Sequence, residues 1–141
     1  MSGIDPRGPR FTASVTAVLL AVTLLLPDPA ATALIAVQGV FFAMGVVLGV
    51  QNTPTGLVFR SLVRPRLSPP AALEDPAPPR FAQAVGLAFA LVALVCYLTG
   101  AVLAAQVAVG LALVAALLNA VFGLCLGCEL YLVGLRAAGR A

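Results

Sequence analysis

Four long apolar stretches constrain this chain more than any other feature. They run from Phe11 to about Leu26, from about Ala30 to Val50, from Phe81 to about Leu98, and within the tract from Ala101 to Leu135. A helix needs about 20 apolar residues to cross the bilayer. Only 9% of the residues are charged, against about 25% in a typical soluble domain. We therefore predict an all-α integral membrane protein with four transmembrane helices, a single membrane domain over residues 1–141.

The fourth stretch is too long to lie wholly inside a bilayer. Residues 99–106 suit the turn before it, so we predict a span from about Val107 to Cys128 with Glu129 at the membrane surface. A deeper register would bury Glu129 at a cost of about 2.5 kcal/mol or more. If the helix persists to that point, Cys125, Cys128 and Glu129 share one face at its C-terminal end.

The basic residues indicate the orientation in the membrane. All are arginines, and they lie in the N-terminal tail, the central loop or the C-terminal tail: Arg7, Arg10, Arg60, Arg64, Arg66, Arg80, Arg136 and Arg140. The two short turns, near residues 27–29 and 99–100, carry none. The positive-inside rule therefore places both termini and the central loop in the cytoplasm. The net charge of +3 follows from this topology, so we predict contact with the lipid bilayer and no nucleic-acid partner.

A repeated motif divides the chain into two halves. The segment "DPRGPRF" at Asp5 returns half a chain later as "DPAPPRF" at Asp75, and each copy opens an odd-numbered span. We predict two tandem helical hairpins, a parallel pseudo-repeat, over about residues 5–64 and 75–135. A Pro-rich cytoplasmic linker of about residues 65–79 joins them.

The repeated motif also allows predictions about cleavage of the first span and about the positions of two arginines. The N-terminal arginines, the apolar stretch and "PAATA" resemble a cleavable signal peptide. Cleavage would remove half of a duplicated unit, so we expect the span to be retained. Arg10 and Arg80, one in each copy, are expected to reach the cytoplasmic headgroups.

Each even-numbered span has a pair of glycines near its end, Gly45/Gly49 and Gly123/Gly127. Small residues at this spacing allow close helix packing in membranes. We predict that these glycines form the interface of a homo-oligomer. Alternatively, they pack the two hairpins of one chain together.

The C-x-x-C pair of Cys125 and Cys128 carries the candidate chemistry. The chain has no histidine, which excludes His-based triads, bases and metal sites, and Cys96 lies a bilayer thickness away. In a thiol redox or sulfur-transfer protein one thiol attacks and the other resolves, with Glu129 as proton acceptor. Alternatively, the pair binds a soft metal together with the thiolates of a second chain. In a third interpretation both cysteines are only small packing residues. No other cofactor is predicted.

The position of the pair complicates the redox interpretation. A helix C-terminus and a neighbouring carboxylate both raise a thiol pKa. A helix break at Gly123/Gly127, so that Cys128 starts a new turn, or nearby arginines, would offset this. The stretch "GLVFRSLVR" suits a short helix on the inner leaflet. The residues expected to position a partner or its anionic sulfur species are Arg60, Arg64, Arg66 and Gln51.

Four motifs in order resemble one bacterial, largely actinobacterial, membrane family. They are D-P-R-x-x-R-F, G-V-Q-x-T-P-x-G-L-x-F-R, D-P-x-P-P-R-F-A-Q and F-G-x-C-L-G-C-E-L-Y, and together they cover nearly the whole chain. The family is domain of unknown function 4395, which has no assigned activity. The resemblance implies a multi-pass protein of the bacterial inner membrane. Its members are often encoded near thioredoxin-like proteins and sulfurtransferases, which implies such a partner. Thr55 stands where the family pattern has an aromatic residue.

Whether the chain is an enzyme stays open at this point. The alternative to thiol chemistry is a non-enzymatic subunit that transports a soft metal or a sulfur compound, or a membrane scaffold for the partner. The motif residues that match the family are Gln51, Thr53, Pro54, Gly56, Cys125, Cys128, Glu129 and Tyr131.

Overall fold

Four helices in the described part of the chain are long and apolar enough to cross a bilayer. The computed structural model describes residues 3–139, so Arg140 lies outside it. The α-helices are α1 (Arg7–Leu25), α2 (Ala30–Leu48), α3 (Pro54–Val58), α4 (Ala77–Leu98), α5 (Val102–Phe122) and α6 (Leu126–Ala137). A π-helical turn (Phe59–Val63) and a 3-10 turn (Arg64–Arg66) extend α3. The first, second, fourth and fifth of these helices are the four candidate spans, so the predicted fold class is confirmed.

The fourth span is where the predicted register is wrong. It begins at Val102 rather than Val107 and ends at Phe122 rather than Cys128. Gly123 stops the helix because it takes a left-handed conformation, with φ of 69°, that glycine adopts without steric cost. Its N–H donates to the Asn119 carbonyl at 3.0 Å. The cysteine pair therefore lies beyond the span, and the apolar tract continues as the separate helix α6.

The long helices pack in pairs across the two halves of the chain. α1 packs mainly against α5 and α2 against α4, while α4 also contacts α5 and α6. The buried core lies between them and consists of Leu20, Ala31, Ile35, Phe42, Ala90, Ala93, Tyr97, Ala105, Ala108 and Val109. Large apolar side chains also cover the outside, such as Val47 (70% exposed), Leu98 (69%) and Leu103 (76%). Such an exterior suits lipid, which supports contact with a bilayer.

The two copies of the D-P motif pair with each other. Ile4 and Glu74, the residues before the two aspartates, exchange N–H to carbonyl hydrogen bonds of 2.9 Å in both directions. In each copy an Oδ1 atom of the aspartate accepts a backbone N–H two residues on, from Arg7 to Asp5 and from Ala77 to Asp75, both at 2.9 Å. Each aspartate thus fixes the start of a long helix.

The motif arginines bind the opposite hairpin. Arg10 of α1 donates to the carbonyls of Ala120 and Val121 at 3.2 and 3.3 Å, in the last turn of α5. Arg80 of α4 donates to carbonyls in the last turns of α2, those of residues 46 and 47. These carbonyls have no partner within their own helix, and a guanidinium also complements the negative end of the helix dipole. Both arginines are also exposed, and their contact with headgroups stays a prediction.

The segments after α2 and α5 also make matching aromatic contacts. The ring of Phe11 lies 5.9 Å from that of Phe59, and the ring of Phe81 lies 5.6 Å from that of Tyr131, each pair tilted. Phe59 is buried, so the helix after α2 is held against the bundle rather than only against a leaflet. The pairings support the predicted duplication into two hairpins, which itself stays a prediction.

Two of the four glycines expected at an oligomer interface pack inside the chain. A Cβ on Gly45 would lie 2.6 Å from Gln83 Cγ on α4. A Cβ on Gly127 would lie 2.6 Å from the Cα and Cβ atoms of Ala82, also on α4. Gly49, like Gly123, ends a span with a positive φ, here 87°. Gly45 and Gly127 therefore pack the two halves of one chain together. The glycine pairs no longer support the predicted homo-oligomer.

Candidate functional site

The cysteine pair begins a helix rather than ending one. Cys125 is the N-cap of α6, with extended backbone, and its Sγ accepts the N–H of Cys128 at 3.2 Å. The expected position at the C-terminal end of a persisting helix is therefore wrong, because α5 ends at Phe122. The structure instead has a helix break before the cysteines, which was the alternative expectation. A helix N-terminus favours the thiolate, so the geometry removes the part of the objection that came from the helix dipole, while Glu129 remains next to Cys128.

The two cysteines are close enough to form a disulfide. Their sulfur atoms lie at bonding distance in the structure, and their Cα atoms are 5.2 Å apart, within the range typical of disulfides. Cys96 is a free thiol in the last turn of α4, at the other end of that helix. The pair can therefore exist in a bonded and a reduced form without involving the third cysteine.

Arg10 is a member of the site that the sequence interpretation missed. Its guanidinium covers the end of α5, and its Nε would lie 3.6 Å from a Cβ built on Gly123, two residues before Cys125. The charge therefore lies beside the turn that leads to Cys125. The sequence signal for such contacts was that an arginine occupies the same position in both copies of the motif, Arg10 in the first and Arg80 in the second.

A cavity of about 320 Å³ opens beside Cys125. Its walls come from α1, α2, α4, α5 and the start of α6, and they are mostly alanine, valine, leucine and phenylalanine side chains. Along α4 it extends from Pro79 to Phe89, which is about 15 Å at the rise of an α-helix. The cavity thus reaches about halfway into a hydrocarbon layer of ~30 Å.

Three polar side chains interrupt the apolar walls of this cavity, Thr16, Gln83 and Asn119. Behind them lies Gln38, which is only 1% exposed and whose Oε1 has no hydrogen-bond partner in the described structure. Thr16 and Gln83 border both the cavity and the small space that Gln38 faces. Within residues 3–139 neither Gln38 nor Asn119 makes a side-chain hydrogen bond to another helix.

A second, more polar pocket of about 150 Å³ lies next to the first. Pro9 and Val50 form part of the walls of both. Three of the residues expected to bind a partner or an anion line it, namely Gln51, Arg60 and Arg64. The fourth, Arg66, is exposed at the end of the 3-10 turn and does not line it.

The pocket also contains a carboxylate, which lowers its net positive charge. Asp5 is buried and accepts hydrogen bonds from Arg7, and Arg64 Nε lies 3.7 Å from its Oδ2. Chiefly through the Arg7 side chain, these contacts hold the pKa of Asp5 below its usual range. Gln51 Oε1 is buried without a partner in the described part of the chain.

Glu129 lies in the first turn of α6 and is exposed. Its carboxylate makes no hydrogen bond to either cysteine in the structure, so the proton-acceptor role stays a prediction. Within residues 3–139 no three Cys, Asp or Glu side chains gather as metal ligands. A metal held by Cys125 and Cys128 would therefore need ligands from a second chain.

These features define the protein as a four-helix integral membrane protein with a C-x-x-C pair at a helix N-terminus, beside a cavity inside the bundle. The match to a family spans residues 4–136, and the chain belongs to that family, described as Domain of unknown function (DUF4395). This confirms the resemblance drawn from the motifs. No curated protein and no solved structure matches the chain.

Proposed function

We propose that the chain is a membrane-embedded thiol protein that exchanges disulfides, or sulfur, with a thioredoxin-like or sulfurtransferase partner. The observation that carries this proposal is the N-cap geometry of Cys125, whose sulfur accepts an N–H at the positive end of α6. Thiolates at such positions form at lower pH than free cysteine, and the thiolate is the reactive species.

The same geometry assigns different roles to the two sulfurs. The thiolate with the lower pKa is the better leaving group in thiol–disulfide exchange. A partner thiolate therefore attacks Cys128 Sγ, the Sγ–Sγ bond breaks, and Cys125 leaves as the stabilised thiolate. To complete the exchange, a second thiolate of the partner attacks the partner's own sulfur in this mixed disulfide, and Cys128 leaves as a thiolate. The partner departs oxidised and the pair stays reduced; the same steps in the opposite order oxidise the pair. Glu129, in the next position, would accept the proton of an incoming thiol.

The adjoining arginine pocket would position the partner. Arg60 and Arg64 are on the exposed side of the helix after α2, and the pocket they line shares two wall residues with the cavity beside Cys125. Arg66, further along, would extend the same positive surface. By the arginine distribution this face is cytoplasmic, in the inner membrane of a bacterium.

Single-cysteine variants test the proposal. Cys125→Ser keeps an oxygen acceptor at the N-cap of α6, so the helix should be preserved. Purified from its native cells, this variant should carry a protein joined to Cys128 by a reducible bond, because a mixed disulfide formed when Cys128 attacks a partner disulfide has no Cys125 thiol to resolve it. The Cys125→Ser/Cys128→Ser double variant, which retains Cys96, is the control and should carry none.

The outcome also separates the alternatives. Failure of both Cys125→Ser and Cys128→Ser to trap any protein or extra sulfur atom would contradict the proposal. Partner binding that survives the double variant would indicate a scaffold. Stoichiometric metal in the purified wild type would indicate the metal-binding alternative.

A further inference from the structure

We infer that the cavity beside Cys125 binds the head group of a membrane-dissolved quinone, which accepts the electrons of the cysteine pair. This inference rests on the proposed function, since it supplies the acceptor that converts the reduced pair back to the disulfide. It adds a ligand site and a ligand class to the thiol chemistry.

The location of the cavity restricts what can enter it. Its walls are side chains of the bundle helices over a depth of about half the bilayer, so it suits a ligand that dissolves in the hydrocarbon layer. Its volume of about 320 Å³ lies at the lower end of the range of small-molecule sites. A compact, flat, lipid-soluble ring fits this space.

The polar groups in the walls suit a ring that carries carbonyl oxygens. Gln83 and Asn119 are wall residues of a largely apolar space, and neither side chain makes a hydrogen bond within the described residues. An amide N–H can donate to a carbonyl, and its oxygen can accept the hydroxyl formed on reduction. A fully apolar lipid chain would leave these amides without partners, at a cost in free energy.

Gln38 is an independent sign that the site is incomplete without a ligand or water. It is 1% exposed, its Oε1 has no partner, and it lies behind Thr16 and Gln83. Buried polar groups are normally hydrogen-bonded, so an unpaired amide oxygen this deep calls for a donor. Gln38 does not itself line the cavity, so a hydroquinone hydroxyl would supply one only through Thr16 or Gln83, which border both spaces.

The electron transfer balances without any further reactant. In the structure Cys125 lines the cavity, and Cys128 Sγ lies at bonding distance from Cys125 Sγ. The two thiols lose two electrons and two protons and form the Sγ–Sγ bond. The quinone ring gains the two electrons, and each of its carbonyl oxygens gains one proton. The product is one hydroquinone for each disulfide formed.

Anaerobic oxidation of the reduced, purified full-length chain tests the inference. The probe is tetramethylbenzoquinone, whose fully substituted ring cannot form thioether adducts with the cysteines. We expect one hydroquinone per chain and loss of both thiols of the pair. Ala115→Phe, which fills the cavity from α5, should slow this reaction at least about tenfold. Leu117→Phe adds the same ring on the same helix, but Leu117 is 44% exposed and does not line the cavity, so its rate should be unchanged.

Two further measurements keep the test decisive. Reaction of the reduced pair with a water-soluble aromatic disulfide should be equal in the wild type and Ala115→Phe, which shows that the thiols remain intact. If Ala115→Phe does not fold, Asn119→Leu replaces it, and loss of one hydrogen bond should reduce the quinone reaction about tenfold.

Some results would overturn the inference. Equal quinone rates in the wild type and the cavity variants, or no oxidation of the wild type, would mean that a lipid chain or water occupies the cavity. A partner trapped by Cys125→Ser together with either result leaves the proposed thiol exchange standing and removes only the quinone. Absence of both the trap and the oxidation removes both proposals.

Discussion

Replacing Gly127 with alanine should detach α6 from α4. The new Cβ would lie 2.6 Å from the Cα and Cβ atoms of Ala82, which are backbone and first side-chain atoms and cannot rotate away. Ordinary contact between carbon atoms is about 3.5–4.0 Å, so α6 must move by about 1 Å. Overpacking of this kind costs roughly 1–3 kcal/mol. That cost raises the population of undocked α6 by about 5- to 150-fold.

Hydrogen exchange of the α6 amides measures this population. A helix of 12 residues is marginal in isolation, so α6 unfolds and exchanges when it leaves α4. Gly134→Ala is the matched control on the same helix, because a Cβ there meets no atom within 4 Å. It should slow exchange slightly, since alanine favours a helix by about 1 kcal/mol over glycine. Exchange in Gly127→Ala that is as slow as in Gly134→Ala would refute the packing argument.

Three other predictions concern the cytoplasmic end of the bundle. Arg80→Met should destabilise the protein by roughly 1–3 kcal/mol in detergent melts, because two carbonyls of α2 lose a charged donor, whereas Arg66→Met should have almost no effect. Because the fold lowers the pKa of Asp5, the ionised carboxylate stabilises the protein, and this stabilisation is lost as the pH falls below the ordinary pKa of 3.8. The melting temperature of Asp5→Asn should therefore fall less on acidification than that of the wild type. A cysteine at Ser68, in a Cys96→Ser background, should react with an impermeant maleimide only after the cells are opened; labelling of intact cells would contradict the topology.

The ends of the membrane spans could be predicted where polar or helix-breaking residues interrupt the apolar sequence. Prolines and an aspartate separate α1 from α2, and a glycine with φ of 84° at position 100 separates α4 from α5. The end of α5 has no such polar mark, because apolar residues continue to Leu135. Gly123 could be interpreted either as a packing residue or as a helix terminator, and only its φ decides. The error in the fourth span and the error in the position of the cysteines have this one cause.

The arginine contacts and the cavity could not be predicted from local patterns. Whether Arg10 reaches a headgroup or the end of α5 depends on which helices are neighbours, and that is set by long-range packing. The cavity exists because small side chains of α4 and α5, among them Ala82, Gly86 and Ala112, meet at one level of the bundle. Their spacing in the sequence does not reveal that coincidence. Gln51, Arg60 and Arg64 line one pocket because they follow one span within a few turns, and their binding of a partner stays a prediction.

The thiol site is best understood by comparison with its counterpart in the first half of the chain. After α2, a glycine with positive φ is followed by Thr53, the N-cap of α3, whose Oγ1 accepts the N–H of Gly56 at 3.2 Å. After α5, Gly123 is followed by Cys125, whose Sγ accepts the N–H of Cys128 at the same distance. The two turns thus share one capping geometry, with oxygen in the first and sulfur in the second. A hydroxyl at this position only stabilises a helix start, whereas a thiol gains a stabilised thiolate from the same N–H and the same helix dipole. A reactive cysteine at this place therefore requires no new backbone, only sulfur as the cap and a second cysteine three residues on.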